Sequence, residues 1–335
     1  MKIRPLALSL GDPAGIGPEI ILKTWAALRD GGPAFVVVGD YDALASASSG
    51  GGSVVRRVTS PLDASAVFAE AVPVFDQPLR ARVVAGQPSP AAAPSIIGWI
   101  ETAVGLALSG EVRGLVTAPI AKAPLYDAGF KFPGHTEFLG ELTARTAVNG
   151  VRGPIMMLCA PGLRVSLVTV HTPLARVSAE LSIERIVHAG LITAQALRRD
   201  FGIAAPRLAV AGLNPHAGEG GAIGREDVEI VGPAVRTLRD LAVDASGPWP
   251  ADTLFPEEMR ARYDAALCLY HDQALIPVKM LDFWGGVNVT LGLPIVRTSP
   301  DHGTAFDIAG RGVARPDSLI AAVRLADEIA ARREA

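Results

Sequence analysis

Residues 5–39 read PLALSLGDPAGIGPEIILKTWAALRDGGPAFVVVG, and this stretch decides the fold. Residues 5–10 are a short apolar run, and Gly11, Asp12 and Pro13 turn the chain. Residues 18–29 then place Ile20, Ile21, Trp25 and Leu28 on one face of a helix. A second apolar run follows at 35–38. Strand, turn, amphipathic helix and strand repeat along the chain: 96–108 reads as a helix and 114–118 as a strand ending at Pro119. Residues 182–199 keep Ile183, Ile186, Val187, Leu191, Ala194 and Leu197 at the helical period. Asp317 is placed to cap a last helix from 318 to about 332. Such alternation implies mostly parallel sheets wound on both faces. The expected fold class is α/β, with two α/β/α-layered domains and a cleft between them. Residues 1–128 with 285–335 are assigned to the first domain and 129–284 to the second. Residues 46–53, SASSGGGS, read as a flexible surface loop.

At 335 residues, with 49% hydrophobic and 19% charged side chains, the chain can bury a large core. The net charge is -3 and no long basic run occurs, which argues against nucleic acid or an anionic membrane as partner. The start of the chain goes straight into a strand, and no apolar span of membrane length is read elsewhere. A cytoplasmic location is expected, in which the sequon at Asn288 carries no glycan. Cys159 and Cys268 lie inside apolar runs and read as inert core thiols. No CxxC pair exists, so a thiolate zinc site is excluded.

Chemistry concentrates in the histidines. His171 in VSLVTVHTP, His216 in LAVAGLNPHAGE and His271 in AALCLYHDQ each follow an apolar run with strand character. Imidazoles at the carboxyl ends of three strands can converge where open α/β sheets bind ligands. Three such ligands with an open fourth position suit a catalytic divalent metal. Each histidine alone reads as readily as a satisfied polar residue; only together do they point to an ion. Imidazole ligation favours zinc, cobalt or nickel over magnesium, although substrate oxygens can complete a harder site. Asp272 and Asp252 are available to orient the rings. His188 reads as the solvated flank of its helix.

A second group suits anions. His135 and Thr136, in PGHTEF before a predicted helix, could hold an oxyanion, or Thr136 could cap that helix with His135 on the surface. Lys279, Asn288 and Arg297 fall in or beside apolar runs at 276–280, 287–291 and 295–298, read as strands. Cations there need a partner, either a protein carboxylate or the carboxylate or phosphate of a substrate. The turn at 11–19 could hold an anion at the following helix start or be structural alone. The stretch DHGTAFDIAG at 301–310 by itself indicates an ordered loop. GxGxxG and Walker A motifs are absent.

Taken together, GDPAGIGPE, GHTEF, VHTPL, GLNPHAGEGG, ADTLF, YHDQ, VNVTLGLPIVRTS and DHGTAFDIAGRG resemble the 4-hydroxythreonine-4-phosphate dehydrogenase family nearly end to end. The first and last segments also resemble the wider isopropylmalate and isocitrate dehydrogenase superfamily. The resemblance implies that His171, His216 and His271 hold one divalent metal per subunit, zinc first, with cobalt or magnesium as alternatives. It implies substrate contacts from His135, Thr136, Lys279, Asn288 and Arg297. His302, Gly303, Thr304 and Asp307 become the residues that receive the adenosine part of NAD or NADP. It also implies a homodimer with the site completed across the interface, one of the three histidines coming from the other subunit.

The activity so implied is oxidation of 4-phosphooxy-L-threonine at C3, with decarboxylation to 3-amino-2-oxopropyl phosphate, in pyridoxal phosphate biosynthesis. The general base stays open between Lys279 and a metal-bound hydroxide. Two alternatives remain beside this activity. One is a dehydrogenase of a phosphorylated four-carbon sugar acid of the phosphoerythronate or phosphothreonate type. The other is a non-redox, metal-dependent decarboxylase or phosphate acyltransferase.

Overall fold

A computed structural model describes residues 4–48 and 54–335. The chain divides into two compact units, one running to Arg145 and resuming at Pro294–Glu334, the other spanning Thr146–Leu293. Sequence reading placed these two crossings near 128 and 285.

The first unit opens with β1 (Leu6–Ser9), α1 (Gly17–Leu28), β2 (Phe35–Gly39) and α2 (Tyr41–Ser46). It continues through β3 (Val55–Val58), α3 (Ala64–Val67), β4 (Val72–Asp76), α4 (Ala93–Leu108) and β5 (Leu115–Thr117). Two short helices, α5 (Lys122–Asp127) and α6 (His135–Leu142), precede the second unit. That unit contains β6 (Ile155–Ala160), β7 (Leu163–Leu167), α7 (Leu174–Glu180), α8 (Ile183–Arg199), β8 (Arg207–Ala211) and α9 (Gly232–Asp240). It then runs through β9 (Asp244–Trp249), α10 (Ala251–Leu254), α11 (Glu257–Arg260), β10 (Ala265–Cys268), α12 (His271–Leu281) and β11 (Val287–Leu291). The chain returns to the first unit for β12 (Arg297–Pro300) and α13 (Asp317–Glu334).

In the first unit the strand order is β3-β4-β2-β1-β5-β12, and every pairing is parallel. β1 and β2 are buried at every position, as expected of parallel strands covered on both faces. α1 buries Ile20, Ile21, Trp25 and Leu28, the face read from the sequence, and the Trp25 indole donates to the Phe68 carbonyl at 2.7 Å. In the second unit the order is β11-β6-β7-β10-β8-β9. β7, β10, β8 and β9 pair in parallel, whereas β6 pairs antiparallel with both β7 and β11. The α/β class with mostly parallel sheets is therefore what the chain adopts. The β6–β11 pairing keeps the chain in the second unit as far as Leu293. α6 packs on α4, so the segment up to Arg145 stays with the first unit.

Some local readings are corrected. Residues 276–280 are not a strand but lie within α12, which buries Ala274 and Val278 one turn apart and carries Pro277 inside it. A five-residue, mostly apolar run cannot by itself separate a strand from a helix segment. An apolar stretch of membrane length does exist, Pro90–Leu108. It is a core element: α4 packs on β1 and β2 and buries Ile96, Trp99, Ile100 and Ala103. Ser46 ends α2 rather than opening a loop, and residues 49–53 of the expected loop lie outside the described residues. α13 begins at Asp317, whose carboxylate receives Arg315 at 3.0 and 3.1 Å.

Candidate active site

The second unit carries the histidines. β7, β10 and β8 are neighbours and parallel, so the chain leaves all three at the same edge of the sheet, shortly before His171, His271 and His216 respectively. Thr169 extends the β7–β10 pairing past the strand ends: its N–H and its hydroxyl donate to the Leu269 carbonyl at 3.2 and 2.7 Å. The two segments are thereby held together, and the rings of His171 and His271 stand 6.4 Å apart, inclined at 37°. Nδ1 of His271 lies 2.7 Å from a carboxylate oxygen of Asp272. Both rings border a cavity of about 360 Å³ that also touches Thr172, Leu174 and Tyr270.

His216 sits on a different device. From His216 to Gly220 every residue has positive φ, a left-handed stretch that non-glycine residues rarely adopt. Buried Asp227 pins the approach to it, accepting from the N–H groups of Leu213 (2.7 Å) and Asn214 (3.0 Å) and from the Asn214 side chain (3.0 Å). Gln273 links the two neighbouring strand ends, donating to the Gly212 carbonyl and accepting from the Leu269 N–H, each at 2.7 Å. Among the described residues, no group of three or more His, Cys, Asp or Glu side chains gathers closely enough to hold an ion. One chain thus pairs His171 with His271 and leaves His216 outside a three-ligand cluster. Asp252 lies on α10 and His188 is exposed on α8.

The first unit carries the anion group. Helix α6 starts at His135 with Gly134 as its cap residue, so Thr136 is inside the helix rather than capping it. His135 is not a surface residue: its Nε2 is buried and has no hydrogen-bond partner. Burial holds this imidazole well below its ordinary pKa, and the charges of Arg297 and Lys122 push in the same direction. Arg297 is almost wholly buried on β12 and donates from Nη2 to the Thr117 hydroxyl at 2.7 Å. Burial pulls the Arg297 pKa down and the carboxylate of Glu137 opposes it; a guanidinium stays charged at neutral pH. Lys122, at the start of α5, is likewise pulled down by burial and raised by Glu137. Thr117, Lys122 and Glu137 were not singled out in the sequence, because nothing local distinguishes them.

Two motifs of the first unit prove to be one structure. The Ile16 N–H donates to the Thr304 carbonyl at 3.0 Å, so the turn at 11–19 docks on the 301–310 loop. A Cβ on Gly15 would lie 2.8 Å from that same carbonyl, so this contact requires glycine. Buried Glu19 receives the N–H groups of Gly312 (3.2 Å) and Ala314 (2.8 Å) and the Lys23 ammonium (2.8 Å). Thr304 is buried, whereas His302, Gly303 and Asp307 are exposed on the docked loop. A cavity of about 850 Å³ opens beside it, bordered by Pro13, Gly15, Glu19, Lys23, Gly310 and Gly312.

Lys279 and Asn288 belong to the second unit. Lys279 lies over the Phe283 ring at 5.4 Å, and Asn288 on β11 has a buried side-chain oxygen without a hydrogen-bond partner. Cys159 and Cys268 are unpaired, and burial raises both thiols, Cys159 to about 12, so neither offers a thiolate at neutral pH.

An α/β fold with histidines at the carboxyl edge of parallel strands, and a buried cation group in the first unit, has the features of an enzyme. The model of the family described as pyridoxal phosphate biosynthetic protein PdxA matches residues 33–326, and the chain belongs to that family. A 4-hydroxythreonine-4-phosphate dehydrogenase from Caulobacter vibrioides is 70% identical over 333 residues, covering 99% of each chain. The crystal structure of the enzyme of that name from Klebsiella pneumoniae has a TM-score of 0.85 at 39% identity, covering 98% of each chain. A terephthalate 1,2-cis-dihydrodiol dehydrogenase from Burkholderia xenovorans is 30% identical with a TM-score of 0.64, covering 97% of each chain. These relatives are oxidoreductases, and this chain is an oxidoreductase of the same family.

Proposed function

We propose that this chain oxidises the C3 hydroxyl of 4-phosphooxy-L-threonine with NAD or NADP, in a divalent-metal-dependent step of pyridoxal phosphate biosynthesis in the cytoplasm. The hydride leaves C3 for the nicotinamide and the hydroxyl proton goes to a base. The β-keto acid so formed breaks its C1–C2 bond and releases CO₂. The electron pair left on C2 takes up a proton, giving 3-amino-2-oxopropyl phosphate. One observation carries this reading. His171 and His271 face each other at a strand edge, in a chain 70% identical end to end to a protein named for this activity.

The residues fit a divalent ion. Two imidazoles lie side by side, and a carboxylate on the back of one ring is the partner that orients metal-ligating histidines. His171, His216 and His271 would make the set, with zinc the first choice and cobalt or magnesium as alternatives, and a second copy supplies one of the three. Supporting such a dimer, α12 and the residues after it leave Ile276, Met280, Leu281, Phe283 and Trp284 exposed, as an interface would require. The docked 301–310 loop and the adjoining cavity likewise suit a nicotinamide cofactor, with His302, Gly303, Thr304 and Asp307 around its adenosine part. When bound, the metal supplies charge that lowers a hydroxyl's pKa, and the cofactor accepts hydride.

The chain's own side chains do the rest. Asp272 fixes the orientation of the His271 ring. Arg297, braced by Thr117, presents a planar fork to phosphate oxygens. His135, kept neutral by its surroundings, offers its unpartnered nitrogen to the same anion, with Thr136 beside it. Lys279 and Asn288 take further substrate oxygens. Together these contacts would fix the substrate's orientation for hydride transfer.

The test is purified protein with 4-phosphooxy-L-threonine, NAD⁺ and a divalent metal. The expected result is NADH and CO₂ in equal amounts, abolished by a chelator. Absence of NADH under these conditions contradicts the proposal. NADH formed only with the amino-free phosphoerythronate would reassign the substrate to a sugar acid.

A further inference from the structure

We propose that Lys122 is a further anion-binding residue of this site and that Glu137 is the positioning residue that aims it. The inference rests on the proposed phosphorylated substrate and extends the set of groups that hold it.

The placement follows from chain geometry. β5 ends at Thr117, whose hydroxyl receives Arg297, and five residues later the chain starts α5 at Lys122. Gly134 caps α6 next to this point. A Cβ built on Gly134 would lie 3.5 Å from Lys122 Cε, 3.7 Å from Lys122 Nζ and 3.5 Å from Glu137 Oε2. The ammonium and the carboxylate therefore converge on one spot at the start of α6, which glycine leaves open. His135 opens the same helix, and burial first, then the charges of Arg297 and Lys122, hold its pKa down.

The unpartnered atoms argue for a ligand. Arg297 and Lys122 both act on the His135 imidazole, and the carboxylate of Glu137 acts on both cations. His135 Nε2 and Glu137 Oε2 are both buried without a hydrogen-bond partner, so polar capacity remains unfilled there. A phosphate monoester answers that need: its oxygens accept from the cations and from the imidazole N–H, and its remaining proton, when present, can reach Glu137.

The test uses the full-length protein and the variants Lys122→Met, Lys122→Arg and Glu137→Gln. Two readouts are taken: the KM and kcat for 4-phosphooxy-L-threonine, and inorganic phosphate binding by titration calorimetry. Lys122→Met is expected to raise the substrate KM and weaken phosphate binding by roughly tenfold or more, as for loss of one charged hydrogen bond. Its kcat and its KM for NAD⁺ stay near wild type. Lys122→Arg recovers most of the affinity, and Glu137→Gln shows a smaller loss of the same kind. Should Lys122→Met fail to fold, Glu137→Gln still decides by its phosphate affinity. Wild-type KM and wild-type phosphate affinity in Lys122→Met, or in Glu137→Gln where Lys122→Met does not fold, overturn the inference, whatever the enzyme's activity. Phosphate binding that depends on Lys122 supports it even where wild type forms no NADH, an outcome that would sink the dehydrogenase reading alone.

Discussion

The rings of His171 and His271 face each other 6.4 Å apart, and the carboxylate of Asp272 lies 2.7 Å from Nδ1 of His271. Their approach is a product of the sheet. β7 and β10 pair in parallel from Val165 and Ala266 to Leu167 and Cys268, and Thr169 carries the pairing on to Leu269. Each ring therefore sits on a segment whose backbone is fixed by its neighbour before any ligand arrives.

Asp272→Asn should keep the His271 ring in place while removing the charge that makes its other nitrogen a better ligand. The expected loss in zinc affinity is about 10- to 100-fold, read by competition with a chelating dye. An unchanged affinity would show that Asp272 does not act through His271.

Arg297→Lys replaces a planar fork by a single ammonium at a buried position that also holds Thr117. Loss of one charged hydrogen bond corresponds to ~2 kcal/mol, or roughly a thirtyfold rise in the substrate KM. The KM for NAD⁺ should hardly move. Equal loss for both ligands would remove Arg297 from the anion group.

Glu19→Ala takes the acceptor from the N–H groups of Gly312 and Ala314. The buried Ala314 N–H left unmade costs about 1–3 kcal/mol, so the midpoint in urea should fall clearly. Because Glu19 anchors the end of the loop assigned to the cofactor, NAD⁺ binding should weaken more than substrate binding. A variant as stable as wild type would contradict the clamp.

His135 makes stability depend on pH. Its folded pKa lies well below 6.5, so beneath about 6.5 the unfolded chain binds a proton that the folded chain refuses. Stability is then complete above that pH and falls as the pH drops, by about 1.4 kcal/mol per unit from this group. His135→Asn removes that share, so its urea midpoint should approach or overtake that of wild type on acidification. Parallel curves for the two proteins would mean that His135 accepts a proton within the fold.

The parallel sheets were legible because each strand is short, apolar and followed by a helix of clear period, as in β1, α1 and β2. His171, His216 and His271 were legible for the same reason, each following a strand of one parallel set, β7, β8 and β10. Lys279 was assigned to a strand because a five-residue, mostly apolar run fits either element; the burial of Ala274 and Val278 one turn apart marks the helix. Glu19, Asp227 and Gln273 escaped notice since their partners lie far away in the sequence or in a fold-dependent turn. Glu19 meets Ala314, and Gln273 meets Gly212. Lys122 and Glu137 are invisible for a related reason: their meaning comes from Arg297, brought beside them by β12 joining β5.

X-ray absorption at the zinc edge, on zinc-loaded full-length protein, tests the metal assignment most directly. Three imidazole nitrogens at about 2.0–2.1 Å are predicted, falling to two in His216→Ala. A shell of oxygens alone, or an unaltered shell in that variant, would contradict the account.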